Sequence, residues 1–369
     1  MKKSLLALAV AAFAASSASA ATVYDKDGTS MDVYGRVQAV VYSQDHCNTS
    51  ASGDAGLVGS GRLGIQVNTA LTDGIDGFAK AEWDVADSDA NDHFSARYIW
   101  VGADFSQFGQ IKGGRFEDAV YYGVTSVTDI YEDAGCNGHL GSSDKRDGEI
   151  MYTWSGYGVD FAASYGTAKD GQRIEGAWFG NGESDADVKN GFAVALGYTS
   201  PDVLFGPIAV KAGYGYVRFQ DDNGNYSYTH QYDNYKQWSG ALSWGTADVG
   251  PYAVAMYSVR DFTMNDVSSH SDYKVQGVEA LLGYGFECGL NILASWQWMN
   301  IDYDGNGSES YDSDAYTIPV LVTYNFNQNF KVWAEARFDI GTDSDFYAAS
   351  NESRDYEQNV YSVGARYTF

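Results

Sequence analysis

The amino-acid sequence predicts an all-β protein, a closed transmembrane antiparallel β-barrel of about sixteen strands, and three observations lead there. Residues 361–369 alternate strictly, with Tyr361, Val363, Ala365, Tyr367 and Phe369 on one side and Ser362, Gly364, Arg366 and Thr368 on the other. A strand with one apolar and one polar face that closes the chain on an aromatic is built to separate lipid from water. Residues 1–20 begin basic (Lys2, Lys3), run apolar, and end on small residues at Ala18 and Ala20, the pattern of a secretory leader cleaved before Ala21. Nothing later offers the roughly eighteen apolar residues of a membrane helix, so the exported chain is either soluble or a barrel. The third observation, recurring two-residue periodicity with charges filling one face, decides for the barrel.

In chain order, Met31, Val33, Val37, Ala39 and Val41 share one parity, with Asp32, Arg36 and Gln38 on the other. Leu63, Ile65 and Val67 oppose Arg62, Gln66 and Asn68; Ala79, Ala81, Trp83 and Val85 oppose Lys80, Glu82 and Asp84. Phe192, Val194, Leu196 and Tyr198 repeat the pattern, as do Leu290, Ile292, Ala294, Trp296 and Trp298. Over residues 330–340 the apolar Val332, Ala334, Ala336, Phe338 and Ile340 face away from Lys331, Glu335, Arg337 and Asp339. Four charged side chains cannot enter a dry core, so that second face is expected to be wet.

A soluble sheet also has one wet face. Here, however, aromatics gather near segment ends (Tyr198, Tyr214, Tyr216, Trp296, Trp298, Tyr324), as expected for girdles at two bilayer edges. Closure also removes the exposed edges that so much strand would otherwise present. Turns at residues 72–75, 200–206 and 325–329 are short. Polar loops at residues 44–58, 116–146, 169–189, 220–235, 303–314 and 342–357 are long. The asymmetry matches brief periplasmic turns and extended external loops. Pro319, inside residues 315–326, predicts a bulge.

The 369 residues carry a formal charge of -26, and loss of Lys2 and Lys3 with the leader makes it more negative still. Such a surface repels nucleic acid and anionic lipid heads. No Pro- or Ser-rich linker divides residues 21–369, which read as one barrel domain after the leader at 1–20.

Several stretches carry a family resemblance: Ala21-Thr-Val-Tyr-Asp-Lys-Asp-Gly followed by Met31-Asp-Val-Tyr-Gly-Arg, then Arg62-Leu63-Gly64, Gly113-Gly114-Arg115-Phe116 and the terminal Phe369. Together they resemble the general, non-specific porins of the Gram-negative outer membrane, over essentially the whole chain after the leader. The resemblance implies a homotrimer of sixteen-stranded barrels in the cell outer membrane, surrounded by outer-membrane lipid and lipopolysaccharide. It implies passage of ions and small hydrophilic solutes, no cofactor or metal, and no enzymatic activity. It also implies a third external loop folded inward, with acidic residues facing a basic wall.

Carried over by position, the wall would include Arg36, Arg62, Arg97 and Arg146, and the loop Asp129, Glu132 and Asp133. The enteric Pro-Glu-Phe-Gly-Gly string is absent. Arg97 is placed on the polar parity, opposite Tyr98, Trp100 and Gly102. Parity through Ile150, Tyr152 and Trp154 puts Arg146 on the lipid side, so either a bulge re-aims it or the match does not hold there. Opposed charged walls across a narrow aqueous gap let polar solutes orient and pass, while the acidic mouths favour cations mildly.

Other features weigh less. A disulfide, if present, joins Cys47 to Cys136, both in external loops; isolated thiols are the alternative, and Cys288 sits in a short turn at the opposite end. All five histidines, His46, His93, His139, His230 and His270, fall in or beside external loops. The run from Asp302 to Ser308 nearly opens a calcium loop, but its closing position holds Ser313 rather than glutamate. A sugar-specific channel needs a continuous aromatic track on the lumen side, of which Trp333 is one candidate member. An outer-membrane hydrolase needs a nucleophile and base at the mouth.

Overall fold

The computed structural model describes residues 20–43, 55–86, 94–133, 140–141, 144–176, 185–220, 232–264, 272–304, 310–343 and 359–369. Among these residues eighteen strands form one sheet. The first half holds β1 (Ala21–Lys26), β2 (Thr29–Tyr42), β3 (Gly56–Thr72), β4 (Ile75–Ala86), β5 (Ser95–Asp104), β6 (Gln110–Phe116), β7 (Arg146–Gly156), β8 (Val159–Gly166) and β9 (Lys169–Arg173). The second half holds β10 (Asp185–Val203), β11 (Gly206–Phe219), β12 (Tyr232–Gly245), β13 (Gly250–Met264), β14 (Asp272–Gly285), β15 (Leu290–Asp304), β16 (Tyr311–Asn325), β17 (Phe330–Asp339) and β18 (Val360–Thr368).

Sixteen of these are the staves of a closed antiparallel barrel. β2 to β8 pair in sequence, β8 pairs β10, β10 to β18 pair in sequence, and β18 returns to β2. The short β9 lies on the start of β10. The short β1 pairs with β2 at Ala21↔Val33, while Phe369 and Gly35 exchange both backbone hydrogen bonds at 2.8 and 2.9 Å. β1 and β18 therefore lie end to end along one side of β2 and together complete a single stave.

The pleat separates two environments as the alternation predicts. Val37, Val41, Val101, Val210, Leu242, Leu282 and Val363 are exposed on the outside. Their inward neighbours are polar or are covered from within, Glu335 and Arg337 being buried to 3% exposure each. The face of β17 expected to be wet is thus largely capped by protein, because Glu335 accepts backbone hydrogen bonds from Glu132 and Asp133 of the loop after β6.

Two further expectations are corrected. Pro319 makes no bulge: β16 holds one constant register against β17 (Pro319↔Arg337) and against β15 (Ala294↔Val320, Gln297↔Thr317), simply skipping pairs where the proline lacks its N–H. Several strands also run on into the predicted loops, β9 occupying residues 169–173 and β10 beginning at Asp185. At 19 residues β10 far exceeds the roughly 9–11 needed to cross a bilayer, and its two ends pair with β9 and β11 beyond its pairing with β8. Cys47, Cys136 and the five histidines lie outside the described residues, whereas Cys288 is exposed as a free thiol in the turn between β14 and β15.

Candidate pore constriction

After β6 the chain turns into the barrel. Asp118 caps the helix α1 (Ala119–Gly123), its carboxylate accepting from the N–H groups of Val120 and Tyr121 at 2.9 and 3.1 Å. The wall is shaped to receive this helix. Ala162, Ala193, Ala195 and Ala241 face it from β8, β10 and β12, forming one buried cluster with Val120 and Val124. Gly213 leaves so little room that a Cβ there would stand 3.1 Å from Val124 and 3.3 Å from Val120. Beneath the helix, the Lys112 ammonium lies 4.4 Å from the Phe116 ring, 5.2 Å from Trp100 and 5.3 Å from Tyr122.

Beyond α1 the loop crosses to the far wall. Val127, Ile130 and Tyr131 pack against a cluster of Val40, Val254, Leu281, Leu293, Leu321 and Trp333. Tyr252 donates to the Val127 carbonyl at 3.3 Å, and Tyr131 donates to Ser295 at 2.9 Å and to the Pro319 carbonyl at 3.4 Å. The end of the crossing is held on β17, β18 and β2. Asp133 accepts from the Trp333 indole at 2.8 Å, from Ser362 at 2.7 Å and from Tyr42 at 3.0 Å. Glu132 pairs with Lys331 and, at 2.6 Å, with Arg366. Burial opposes ionisation of the Glu132 carboxyl, but Lys331, Arg366 and Arg36 outweigh it and hold that carboxyl below its usual range.

The basic wall carries its own carboxylates. Arg36 and Arg62 stand side by side across β2 and β3. Arg62 pairs with Asp84 at 2.9 Å, Arg97 bridges Glu82 at 3.0 Å and Asp84 at 3.2 Å, and Lys80 sits 3.5 Å from Glu82. Tyr34 donates at 2.9 Å to the Glu82 oxygen that Lys80 approaches, opposite the one that Arg97 holds. Arg97 reaches the lumen by a route that parity misses. Tyr98 and Trp100 themselves face inward, and a register shift opposite Glu82 and Trp83 lets Arg97 share their side.

The acidic residues divide their roles. Of the three expected on the loop, Glu132 pairs with cations of the wall, Lys331 and Arg366. Asp133 is held by neutral donors, and the exposed Asp129 accepts from Tyr121, whose hydroxyl is pushed well above its usual range by burial and by that carboxylate.

Arg146 faces inward as well. A register shift between β6 and β7, with Gly148 at φ 79°, re-aims it. It joins a different group, however, pairing with Asp118 at 3.2 Å and Glu149 at 3.3 Å and donating to Tyr235 at 3.2 Å. Its place is at the root of the loop helix, apart from Arg36, Arg62 and Arg97. Lys331, Arg366, Glu82 and Asp84 are site members that the sequence does not single out; their lumen parity is the available signal, but parity does not say at what depth a charge lies. Nor does the sequence show an aromatic lumen track, although Phe219, Tyr232, Tyr235, Phe262 and Tyr273 face inward. They are buried against one another and offer no exposed stacking path.

A family model described as Gram-negative porin matches residues 7–344. Outer membrane porin PhoE of Enterobacter cloacae is 29% identical, and outer membrane porin protein OmpD of Citrobacter koseri 27% identical, each alignment covering 100% of both chains. Among solved structures, a Salmonella typhi OmpF complex with daunomycin superposes with a TM-score of 0.67 at 21% identity, covering 95% of this chain and 100% of that one. An anion-selective porin from Comamonas acidovorans gives 0.63 at 14%, covering 92% and 100%. At those identities the structural matches bear on the fold alone.

Proposed function

The chain belongs to the Gram-negative porins, outer-membrane channels rather than enzymes, and from that premise we propose that it passes ions and small hydrophilic solutes by passive diffusion with a mild preference for cations. The observation that carries this reading is the compensation of the basic wall by Glu82 and Asp84. Among the described residues, the cations Arg36, Arg62, Lys80, Arg97, Lys331, Arg337 and Arg366 face the carboxylates Glu82, Asp84, Asp129, Glu132, Asp133 and Glu335, a near balance. With the constriction near neutrality, selectivity falls to the acidic mouths of a chain whose formal charge is -26.

Reversal potentials across a salt gradient test this. Cation preference is expected at low salt and should weaken as screening rises. Asp84→Asn should move the reversal potential toward anions, because it leaves Arg62 and Arg97 sharing Glu82 alone; Arg62→Ala should move it toward cations. A folded wild type with anion preference at low salt would overturn the selectivity assignment.

Assembly as a homotrimer, with the leader removed before Ala21, belongs to the same proposal. The outward surface of β2 to β5 is mostly small and aliphatic (Val33, Val37, Ala39, Leu63, Ala81, Val101), suited to close packing between barrels. Ala21 beginning at the start of β1, in line with Phe369, supports the cleavage point. Protein extracted in mild detergent is expected to run as a heat-labile trimer of chains beginning at Ala21. A monomer by native mass measurement would count against the assembly.

A further inference from the structure

The external half of the lumen is not water-lined all the way round. Along the long-loop ends of β11 to β15, Phe219, Tyr235, Phe262, Tyr273 and Ile301 point inward and are at most 2% exposed, with ring centroids 5.4 Å apart for Tyr235–Phe262 and for Phe262–Tyr273. An open vestibule would leave this surface in contact with water, at a cost that grows with its apolar area. Instead it receives Leu140 and Ile174, 2% and 0% exposed, from two segments that lie off the barrel wall.

A buried charge cluster fastens both segments. Arg260 of β13 is 0% exposed. Its guanidinium approaches Asp144 at 2.7 Å, off the line of a good hydrogen bond, donates to the Glu175 carbonyl at 2.7 Å and to Gln237 at 2.9 Å, and lies 4.7 Å from the Tyr235 ring. The Asp144 carboxylate accepts from the Glu175 N–H at 2.6 Å, and the Glu175 carboxylate from the Gly141 N–H at 2.6 Å. Gln237 donates to the Leu140 carbonyl at 3.2 Å. Arg146 then links this cluster, through Tyr235, to Asp118 at the head of α1.

From these contacts we infer that residues 140–141, 144–145 and 174–176 form a strap seated in the external mouth, a second size barrier that solutes meet before the loop constriction. Two features separate it from an ordinary surface loop. Its aliphatic anchors are dry, and its carboxylates neutralise a cation that would otherwise be stranded in the wall, where removal of one partner of a buried pair is strongly unfavourable. The strap therefore stays seated. The aqueous route is displaced toward the side of β17, β18 and β2 to β5, where Arg36 and Arg62 are only partly covered.

The inference rests on the diffusion-channel reading, and the experiment separates the two. Single-channel conductance and liposome swelling with saccharides of increasing size would be measured for the full-length protein, Ile174→Asp and Glu175→Ala. Both substitutions sit on the strap and leave barrel strands untouched, and the second keeps the test decisive if the first does not fold. Higher conductance and a size limit shifted to larger saccharides are the expected result. A conducting wild type whose folded variants match it in conductance and in saccharide ranking overturns the barrier alone. A wild type with no conductance removes the channel reading and the barrier with it.

Discussion

Gly213→Leu is expected to lift the loop helix off its wall and raise single-channel conductance. A five-residue helix has no stability of its own, so α1 exists because Val120 and Val124 dock on a surface of alanine and glycine. The backbone of Gly213 is paired on both sides, with Ala195 of β10 and Ser239 of β12, and cannot retreat. The loop must yield. Overpacking of this kind costs about 1–3 kcal/mol, which at 1.4 kcal/mol per decade is roughly a five- to hundredfold shift from docked toward undocked loop. Gly213→Ala, whose Cβ would need its neighbours to give by only a few tenths of an ångström, should show a weaker form of the same effect. Since the substitution leaves every strand pairing intact, thermal unfolding of the barrel should change little. A folded Gly213→Leu protein with wild-type conductance would show that the loop does not narrow the pore.

Glu132→Gln is the second large effect. The carboxylate is the meeting point of Lys331 and Arg366 and is sensed by Arg36. Losing it leaves three cations clustered in a partly covered wall. Breaking such a pair costs about 3–5 kcal/mol when burial is complete, and less here because Lys331 retains 26% side-chain exposure and some contact with water. Anion preference should appear, together with a less firmly held loop.

Protonation is expected to mimic the substitution. Because the folded carboxyl titrates below its unfolded value, the stabilisation it provides is complete above the ordinary carboxylate range and is lost as pH falls through the lowered folded value. Loop seating, read as conductance, should therefore hold as pH drops through about 4.3, the unperturbed glutamate value, and change only in stronger acid. Glu132→Gln should lack that acid transition. A transition that persists unchanged in the variant would assign it to another group.

Much of this was legible in the residues. Arg36 and Arg62 could be placed in the lumen because β2 and β3 keep a period of two and pair without a shift between Thr29 and Tyr42. The same count puts Arg97 in the lumen only by turning Tyr98 and Trp100 outward, and it puts Arg146 on the lipid side. Arg97 sits in a register shift and Arg146 lies across one from the regular part of β7, and a single extra residue inverts the parity across it. Glu82 and Asp84 were visibly on the polar face, yet nothing in residues 79–85 says that two arginines from neighbouring strands converge on them. The aromatic lining of the external mouth was hidden for another reason. Phe219, Phe262 and Tyr273 occupy lumen parity at strand ends, where girdle aromatics are also expected.

By itself, then, the sequence determined the class of the molecule. Alternation and aromatic strand ends are local properties that survive any error in register, and together with the expected leader they point to a barrel. Only the tertiary structure decided which charges meet. Glu132 reaches Arg366, and Asp133 reaches Ser362, because closure of β18 onto β2 brings the last strand beside the loop. Such contacts depend on strand number, bulge positions and the path of a loop across the lumen, all of which are set by packing between residues hundreds of positions apart rather than by any local pattern.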